Sequence, residues 1–387
     1  MLTGSMLVAQ QVSPTSNPPC GGLSATGFAN WPQFQGDPCH TGFNPNELIL
    51  SPATVGNLVA SWSFLTGGRT AASPSVVNGV AYLGSADGNL YALNASTGAL
   101  LWKYTTGIGI LDSPAVANGV VYVGSNDNYL YALNAATGAL VWKFQAGDIV
   151  YESPAVADGA VYVGSNDNYL YALDATTGAL VWKYKTGGGI TSAPAVANGI
   201  VYVKALDFNM YAVDAATGAL LWKYPTGNQN VVDTSPTVAN GIVYVILQSY
   251  PNSYALNALN ATTGALLWSY PGIFVSTPAV ANGVLYVAAY YPDSSLYALD
   301  ATTGTFKWKQ QISNSNASPA VVANGVVYVG SDDFSLYALD VGSGAVLLKL
   351  TDCCGPFDSS PPVVVNGRVY AGGNVDLTLH TFQLPNH

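Results

Sequence analysis

Apolar residues along this chain fall in short runs broken by turn-forming residues. Residues 113–143 read SPAVANGVVYVGSNDNYLYALNAATGALVWK, with breaks at Asn118-Gly119, Asn126-Asp127-Asn128 and Thr137-Gly138. The runs between them, about five to seven residues rich in Val, Tyr, Leu and Ala, are too short for helices and suit β-strands. Two-residue Asn-Gly turns favour tight hairpins, so the stretch predicts a four-stranded antiparallel meander.

The pattern returns at residues 153–183, SPAVADGAVYVGSNDNYLYALDATTGALVWK. Marked by its opening proline, it recurs at Pro74, Pro114, Pro154, Pro194, Pro236, Pro278, Pro319 and Pro361, about 41 residues apart. A unit that cannot bury its own faces must stack on its neighbours, and eight meanders arranged radially form an eight-bladed β-propeller with only short exposed sheet edges. The last copy runs from Val369-Tyr370 to the C-terminus without a fourth strand, whereas Leu58–Phe64 reads as a fourth strand with no three before it. The two fragments predict one blade that closes the ring. The expected organisation is all-β, with a leader over residues 1–57 and a propeller over residues 58–387.

Composition narrows the function. Only 8 % of the 387 residues are charged, against about 25 % in an ordinary domain. Hydrophobic residues make up 49 %, with 25 Tyr and 8 Trp, which supplies ample core. A net charge of −10 with only two arginines, Arg69 and Arg368, argues against a nucleic-acid partner, because neutralising phosphates needs clustered cations. No apolar run reaches the roughly 18–20 residues of a transmembrane helix. Six of the 11 basic residues, Lys103, Lys143, Lys183, Lys223, Lys309 and Lys349, share one repeat position. On an outermost strand, lysine discourages edge-to-edge pairing.

Within each copy the stretch Ala-Leu-Asn/Asp-Ala-x-Thr-Gly-Ala-x-x-Trp, as in Ala132–Trp142, resembles the tryptophan-docking motif of the pyrroloquinoline-quinone (PQQ) repeat superfamily. It ends in Trp102, Trp142, Trp182, Trp222, Trp268 and Trp308, with Leu348 replacing Trp in the seventh copy. Residues 31–37 (WPQFQGD), followed by His40-Thr41-Gly42, resemble the segment that precedes the ring in secreted members. The resemblance spans roughly residues 29–384. It implies the propeller fold and a structural role for these tryptophans and Trp62, each packed on the neighbouring blade. For function it implies several classes: quinoprotein dehydrogenases, BamB-type outer-membrane assembly factors, and propellers with no known ligand.

In an up-and-down blade, the connection into the first strand and the hairpin between strands two and three share one face, here called the top. The bottom turns are near-copies of one another while the top connections vary, and binding residues concentrate on variable loops held by a rigid scaffold. Near the opening prolines lie Arg69, Asp112, Tyr151, Glu152, Lys185, Asp233, Asn316 and Asp358, expected to line a funnel mouth that binds a small polar ligand. Asp112 and Glu152 hold the same repeat position and are candidate ligands for calcium, which prefers carboxylate oxygens. Copies four to six depart from the template at Lys204, Phe208, Tyr250, Tyr290 and Tyr291, a group expected to form an interaction surface for protein or carbohydrate. The alternative is a PQQ- and calcium-dependent alcohol or sugar dehydrogenase. It needs basic contacts to the anionic cofactor, a bound calcium ion and a carboxylate base. It would assign Asp112, Glu152 and Asp233 as ligands or base, with Arg69 and Lys185 as the basic groups.

Four cysteines, Cys20, Cys39, Cys353 and Cys354, allow three pairings. Either Cys20 joins Cys39 beside a vicinal Cys353–Cys354 bridge, or the leader is cross-linked to the loop at 353–354. Both staple the leader and suit an oxidising compartment. Residues 1–19 carry no charge and include apolar Met6–Ala9, read as the remnant of an export signal. The expected protein is an exported, periplasmic or extracellular, non-catalytic binding or scaffold propeller that acts through its top face and needs no cofactor.

Overall fold

The computed structural model describes residues 30–70, 73–227, 234–249, 253–312, 316–351, 360–373 and 375–385. Eight antiparallel four-stranded units succeed one another, the seventh carrying one extra short strand. Blade 2 pairs Ala115–Ala117, Val120–Gly124, Tyr129–Asn134 and Leu140–Gln145 in chain order. Blade 8 is built from Val363–Val365, Arg368–Gly372 and Thr378–Gln383, with Val59–Leu65 from the other end of the chain as its fourth strand. The ring is therefore closed as the two sequence fragments predict. Prolines 319 and 361 mark their copies one residue early: the inner strands of blades 7 and 8 begin at Val321 and Val363, preceded by Ala320 and Pro362. The bottom turns explain the recurring Asn-Gly, because both positions are left-handed (Asn118 φ 49°, Gly119 φ 76°), a conformation that Gly and Asn adopt at least cost.

The eight first strands contact one another pairwise around the whole circle, so they wall the central channel. The fourth strands form the outer surface, where side chains alternate in exposure. There the repeat lysines lie over tyrosine rings, Lys143 and Lys183 each 4.4 Å from the ring centres of Tyr129 and Tyr169, or pair with Asp293 and Asp333 at 2.9 Å. Exposed pairs of this kind add little stability.

One device joins the blades. A tyrosine hydroxyl and a tryptophan Nε1 donate to the same carbonyl of the following blade: Tyr162 and Trp182 reach Ala215 O at 3.2 and 2.9 Å. The pairs Tyr122/Trp142, Tyr202/Trp222 and Tyr244/Trp268 do the same at Ala175, Ala261 and Ala301. Tyr370 and Trp62 close the circle on Ala95. Blade 7 departs from this, with Leu348 in place of Trp and the buried Tyr328 hydroxyl unpartnered. The cause is topological. The receiving carbonyl belongs to the turn between strands three and four, and blade 8 has no such turn because its fourth strand arrives from the N-terminus. The leader fills this joint instead. Leu50, Val55 and Leu58 share a core with Tyr328 and Val365, and the Glu47 carboxylate accepts N–H groups of Ile49, Leu50 and Gly367 at 2.8–3.0 Å.

The leader does more than fill a joint. Residues 31–44 run inside the ring and bond to each inner strand in succession. The carbonyls of Trp31, Pro32, Pro38, Cys39, Thr41 and Gly42 accept the N–H groups of Val76, Val116, Val196, Val238, Val280 and Val322 at 2.6–2.8 Å. Gln33 Oε1 accepts that of Val156 at 3.0 Å. In blade 8 the direction reverses, and Asn44 Nδ2 donates to Val364 O at 2.8 Å. Phe43–Asn44 also add a short parallel strand to blade 7. Each inner strand offers these backbone groups to the channel, and a buried unpaired N–H is costly, so the segment satisfies the ring while filling it. The Asp37 carboxylate shapes the segment by accepting the N–H groups of Cys39 and Thr41 and the Thr41 hydroxyl.

His40 lies in this segment, fully buried, and burial lowers its pKa from 6.5 to about 4 despite an opposing contact of Nδ1 with Pro236 O at 2.9 Å. A pKa depressed in the fold means that stability is complete above about pH 6.5 and declines as pH falls toward 4, by about 3 kcal/mol if the whole shift is realised. Denaturant titrations between pH 7 and pH 4.5 should show this slope, and His40→Gln should flatten it.

Candidate functional site

The top face is stiffened from its residues upward. In each of blades 1 to 4 the hairpin aspartate accepts three ways: Asp127 Oδ2 takes the Tyr131 hydroxyl at 2.7 Å and the N–H of Gly107, on the connection arriving from blade 1, at 2.8 Å, while Oδ1 takes the Tyr129 N–H at 3.2 Å. Asp87, Asp167 and Asp207 repeat the arrangement. These carboxylates are consumed in holding each hairpin to its neighbouring connection, so they are not available as ligands.

Deeper in, two partial belts of mostly hydroxyl-bearing positions line the channel wall. In the first, the residue before the proline passes its N–H to the hydroxyl of the next blade: Ser73 to Ser113, Ser113 to Ser153, Ala193 to Ser235 and Ser235 to Thr277, at 2.9–3.1 Å. Sequence reading passed over these residues, although a recurring Ser or Thr before Pro was the available signal. In the second belt, Ser192, Ser276 and Ser318 each accept the N–H twelve residues later, from Lys204, Ala288 and Gly330, at 2.8–3.0 Å.

Asp112 occupies the second belt. Its Oδ2 accepts the Gly124 N–H at 3.2 Å in the same register, while its Oδ1 is buried without a partner. Asp112 thus stands where other blades have serine, and burial pushes its carboxyl well above the usual carboxylate range. A carboxyl whose pKa is raised by folding contributes most stability below its unfolded value and loses it as pH rises. Asp112→Asn keeps the acceptor and removes the ionisation, so at pH 7 the variant should be more stable by roughly 0.5–2 kcal/mol, with the difference vanishing near pH 3.5. A destabilised Asn variant at pH 7 would mean that the charge is held by something else.

The remaining candidates disperse. Glu152, in the equivalent position of blade 3, is partly buried; Arg69, Tyr151 and Lys185 are exposed; and the Asn316 N–H donates to Asp332 Oδ2 at 3.2 Å. Asp233, Tyr250, Asp358, Cys20, Cys353 and Cys354 lie outside the described residues. Lys204, expected on an interaction surface, is instead 2 % exposed. It replaces the glycine that ends the second strand and turns inward, and its Nζ donates to Thr234 Oγ1 at 3.2 Å. Phe208, Tyr290 and Tyr291 are 40, 38 and 62 % exposed on the top hairpins. Phe208 is left-handed (φ 65°) where blades 2 and 3 have Asn128 and Asn168, a strained setting for a bulky residue. Among the described residues no group of three or more His, Cys, Asp or Glu is placed to hold a metal ion. No helix of the described residues is long and apolar enough to cross a membrane. Cys39 is buried and disulfide-bonded.

The family profile described as outer membrane protein assembly factor BamB matches residues 49–152, 146–272 and 235–378. No curated protein matches the sequence. Among solved structures, BamB from Moraxella catarrhalis superposes with a TM-score of 0.70 at 20 % identity, covering 84 % of this chain and 99 % of its own. Quinohemoprotein alcohol dehydrogenases from Pseudomonas putida HK5 and Comamonas testosteroni superpose with TM-scores of 0.73 and 0.74 at 17 and 16 % identity, each covering 92 % of this chain and 80 % of its own. At these identities the likeness is one of fold.

Proposed function

From the premise that the chain belongs to the PQQ-repeat family of the outer membrane protein assembly factor BamB, we propose that it is an exported, non-catalytic binding module that engages a protein or small polar ligand through its top face. The observation that carries this reading is the distribution of departures from the repeat. The bottom turns are near-copies, whereas Tyr151, Phe208, Tyr290 and Tyr291 project from top loops at 38–62 % exposure, with Phe208 held there in a strained conformation. Exposed aromatic side chains on a rigid frame suit recognition, since they supply large contact area at small entropic cost.

The dehydrogenase alternative asks for a cradle of cations around an anionic cofactor and a calcium ion held by oxygens. The described residues do not fit that group. Lys204 is turned onto Thr234, Arg69 and Lys185 are out in solvent, and one oxygen of the Asp112 carboxyl accepts the Gly124 N–H while burial raises its pKa, which disfavours the charged form that a calcium ligand needs.

The test has two arms. Calorimetric titration of the full chain with PQQ and Ca²⁺, followed by dye-reduction assays on alcohols and aldoses, should give neither stoichiometric binding nor turnover; tight binding with turnover would overturn the proposal. In the second arm, affinity capture from envelope extracts with wild type and with a Tyr290→Ser/Tyr291→Ser variant should yield a partner that the variant loses. Equal capture by both would also contradict the proposal.

A further inference from the structure

A cleft of about 470 Å³ opens on the top face between blades 3 and 4, lined by Tyr151, Asn166, Asn168, Gly189, Thr191 and Leu206. It has a local cause in the sequence. Forty residues earlier, the positions of Gly189 and Thr191 are held by Ile149 and Tyr151, and eighty residues earlier by Gly109 and Leu111, so this junction alone of the three has a small residue at both positions. The hairpin framework is otherwise unchanged: Leu206 N–H bonds to Gly189 O at 2.8 Å as Asn166 N–H bonds to Ile149 O at 3.1 Å. A Cβ at Gly189 would meet Asn166 at 3.3–3.4 Å, so any larger residue there would fill the space. The two nearly identical copies thus diverge where a recess results.

The lining is chemically narrow. It contains no charged side chain. Asn166 and Asn168 offer amide donors and acceptors, and the Thr191 hydroxyl is buried with no hydrogen-bond partner, a state that costs free energy until a ligand or solvent group pairs with it. Tyr151 and Leu206 add apolar surface, 43 and 47 % exposed. Neutral hydrogen-bonding groups beside an aromatic face match a ligand that has hydroxyls on its edges and C–H groups on its flat side. An anion would find no cation in the lining on a chain of net charge −10, and a cation would find no carboxylate. The volume falls in the lower part of the range for small-molecule sites, enough for a short saccharide unit.

We propose that the cleft between blades 3 and 4 is a binding site for an uncharged saccharide, with Tyr151 as the stacking surface and Asn166, Asn168 and Thr191 as the hydroxyl partners. This deepens the reading of a top-face binding module and rests on it. The test is an array of neutral and charged glycans probed with the full chain, with hits titrated by calorimetry against wild type, Tyr151→Ala, Gly189→Phe and, on the outer strand of blade 5, the exposed Leu267→Ala. The expected result is binding confined to neutral glycans, weakened at least tenfold by Tyr151→Ala and by Gly189→Phe and unchanged by Leu267→Ala, each variant first checked for wild-type circular dichroism. If Gly189→Phe does not fold, Tyr151→Ala alone decides. Binding of no glycan, binding only of charged ones, or neutral binding untouched by Tyr151→Ala would each overturn the site. A protein partner captured by wild type and lost by the Tyr290/Tyr291 variant would leave the broader proposal standing in all three cases.

Discussion

Removing residues 1–44, and with them the segment inside the ring, is expected to cost the propeller most of its stability. Seven inner-strand N–H groups lose their acceptors and Val364 O loses its donor. At about 1 kcal/mol for each bond and a further 2–3 kcal/mol for burying Trp31, the loss is roughly 10 kcal/mol. That is comparable with the whole stability of a typical domain, about 5–15 kcal/mol. Trp31 is 0 % exposed and shares its core with blades 1, 7 and 8, so the ring should open where the leader joins it. Far-UV circular dichroism and urea denaturation would read this as an expanded state with little cooperative transition. A variant with an unchanged midpoint would show that the segment is a passenger.

Trp182→Ala should cost about 3–5 kcal/mol, as should truncation of the equally buried Trp142, Trp222 and Trp308. Trp182 is 9 % exposed, shares Ala215 O with Tyr162 and lies over Gly218 of the next blade. Gly218 is left-handed (φ 73°) and its Cβ would stand 2.7 Å from the indole, so the glycine serves both the turn and the contact. Leu348→Ala is the internal comparison. That position has no receiving carbonyl in blade 8 and is partly buried beside the leader, so its loss should be smaller than that at Trp182. Urea titration of both variants orders them, and an effect below about 1 kcal/mol at Trp182 would contradict the shared-carbonyl account.

How much of this was legible in the sequence depended on whether a feature repeats. The strands, the 41-residue period, the eight blades and the closure by Leu58–Phe64 all come from patterns that return in register, and the structure has them. Leu348 was visible as an exception, but its reason lies in a turn that blade 8 lacks, which no local pattern reveals. The course of residues 31–44 was illegible because it works mainly through backbone carbonyls, to which almost any residue is equivalent. At the candidate site, the exposed aromatics Tyr151, Phe208, Tyr290 and Tyr291 could be picked out as departures from the template. Lys204 was misjudged because a charge on a variable strand end is usually solvated, whereas here the channel wall gives it Thr234 as a partner. Asp112 and Glu152 share a position, yet that position proved to be a capping site that serine fills in other blades. The cleft escaped notice because it is made by the small residues Gly189 and Thr191, and a missing side chain is a faint signal.

The account rests on a ring that its own leader fills and secures, leaving the top loops as the variable surface. Amide hydrogen exchange on the intact chain tests this most directly. The N–H groups of Val76, Val116, Val196, Val238, Val280 and Val322 should exchange as slowly as the central strands. Those of Cys39, Thr41 and Gly42 should be protected to the same degree, so that leader and ring open in one step. Exchange of residues 31–44 within seconds, while the inner-strand valines stay protected for hours, would contradict it.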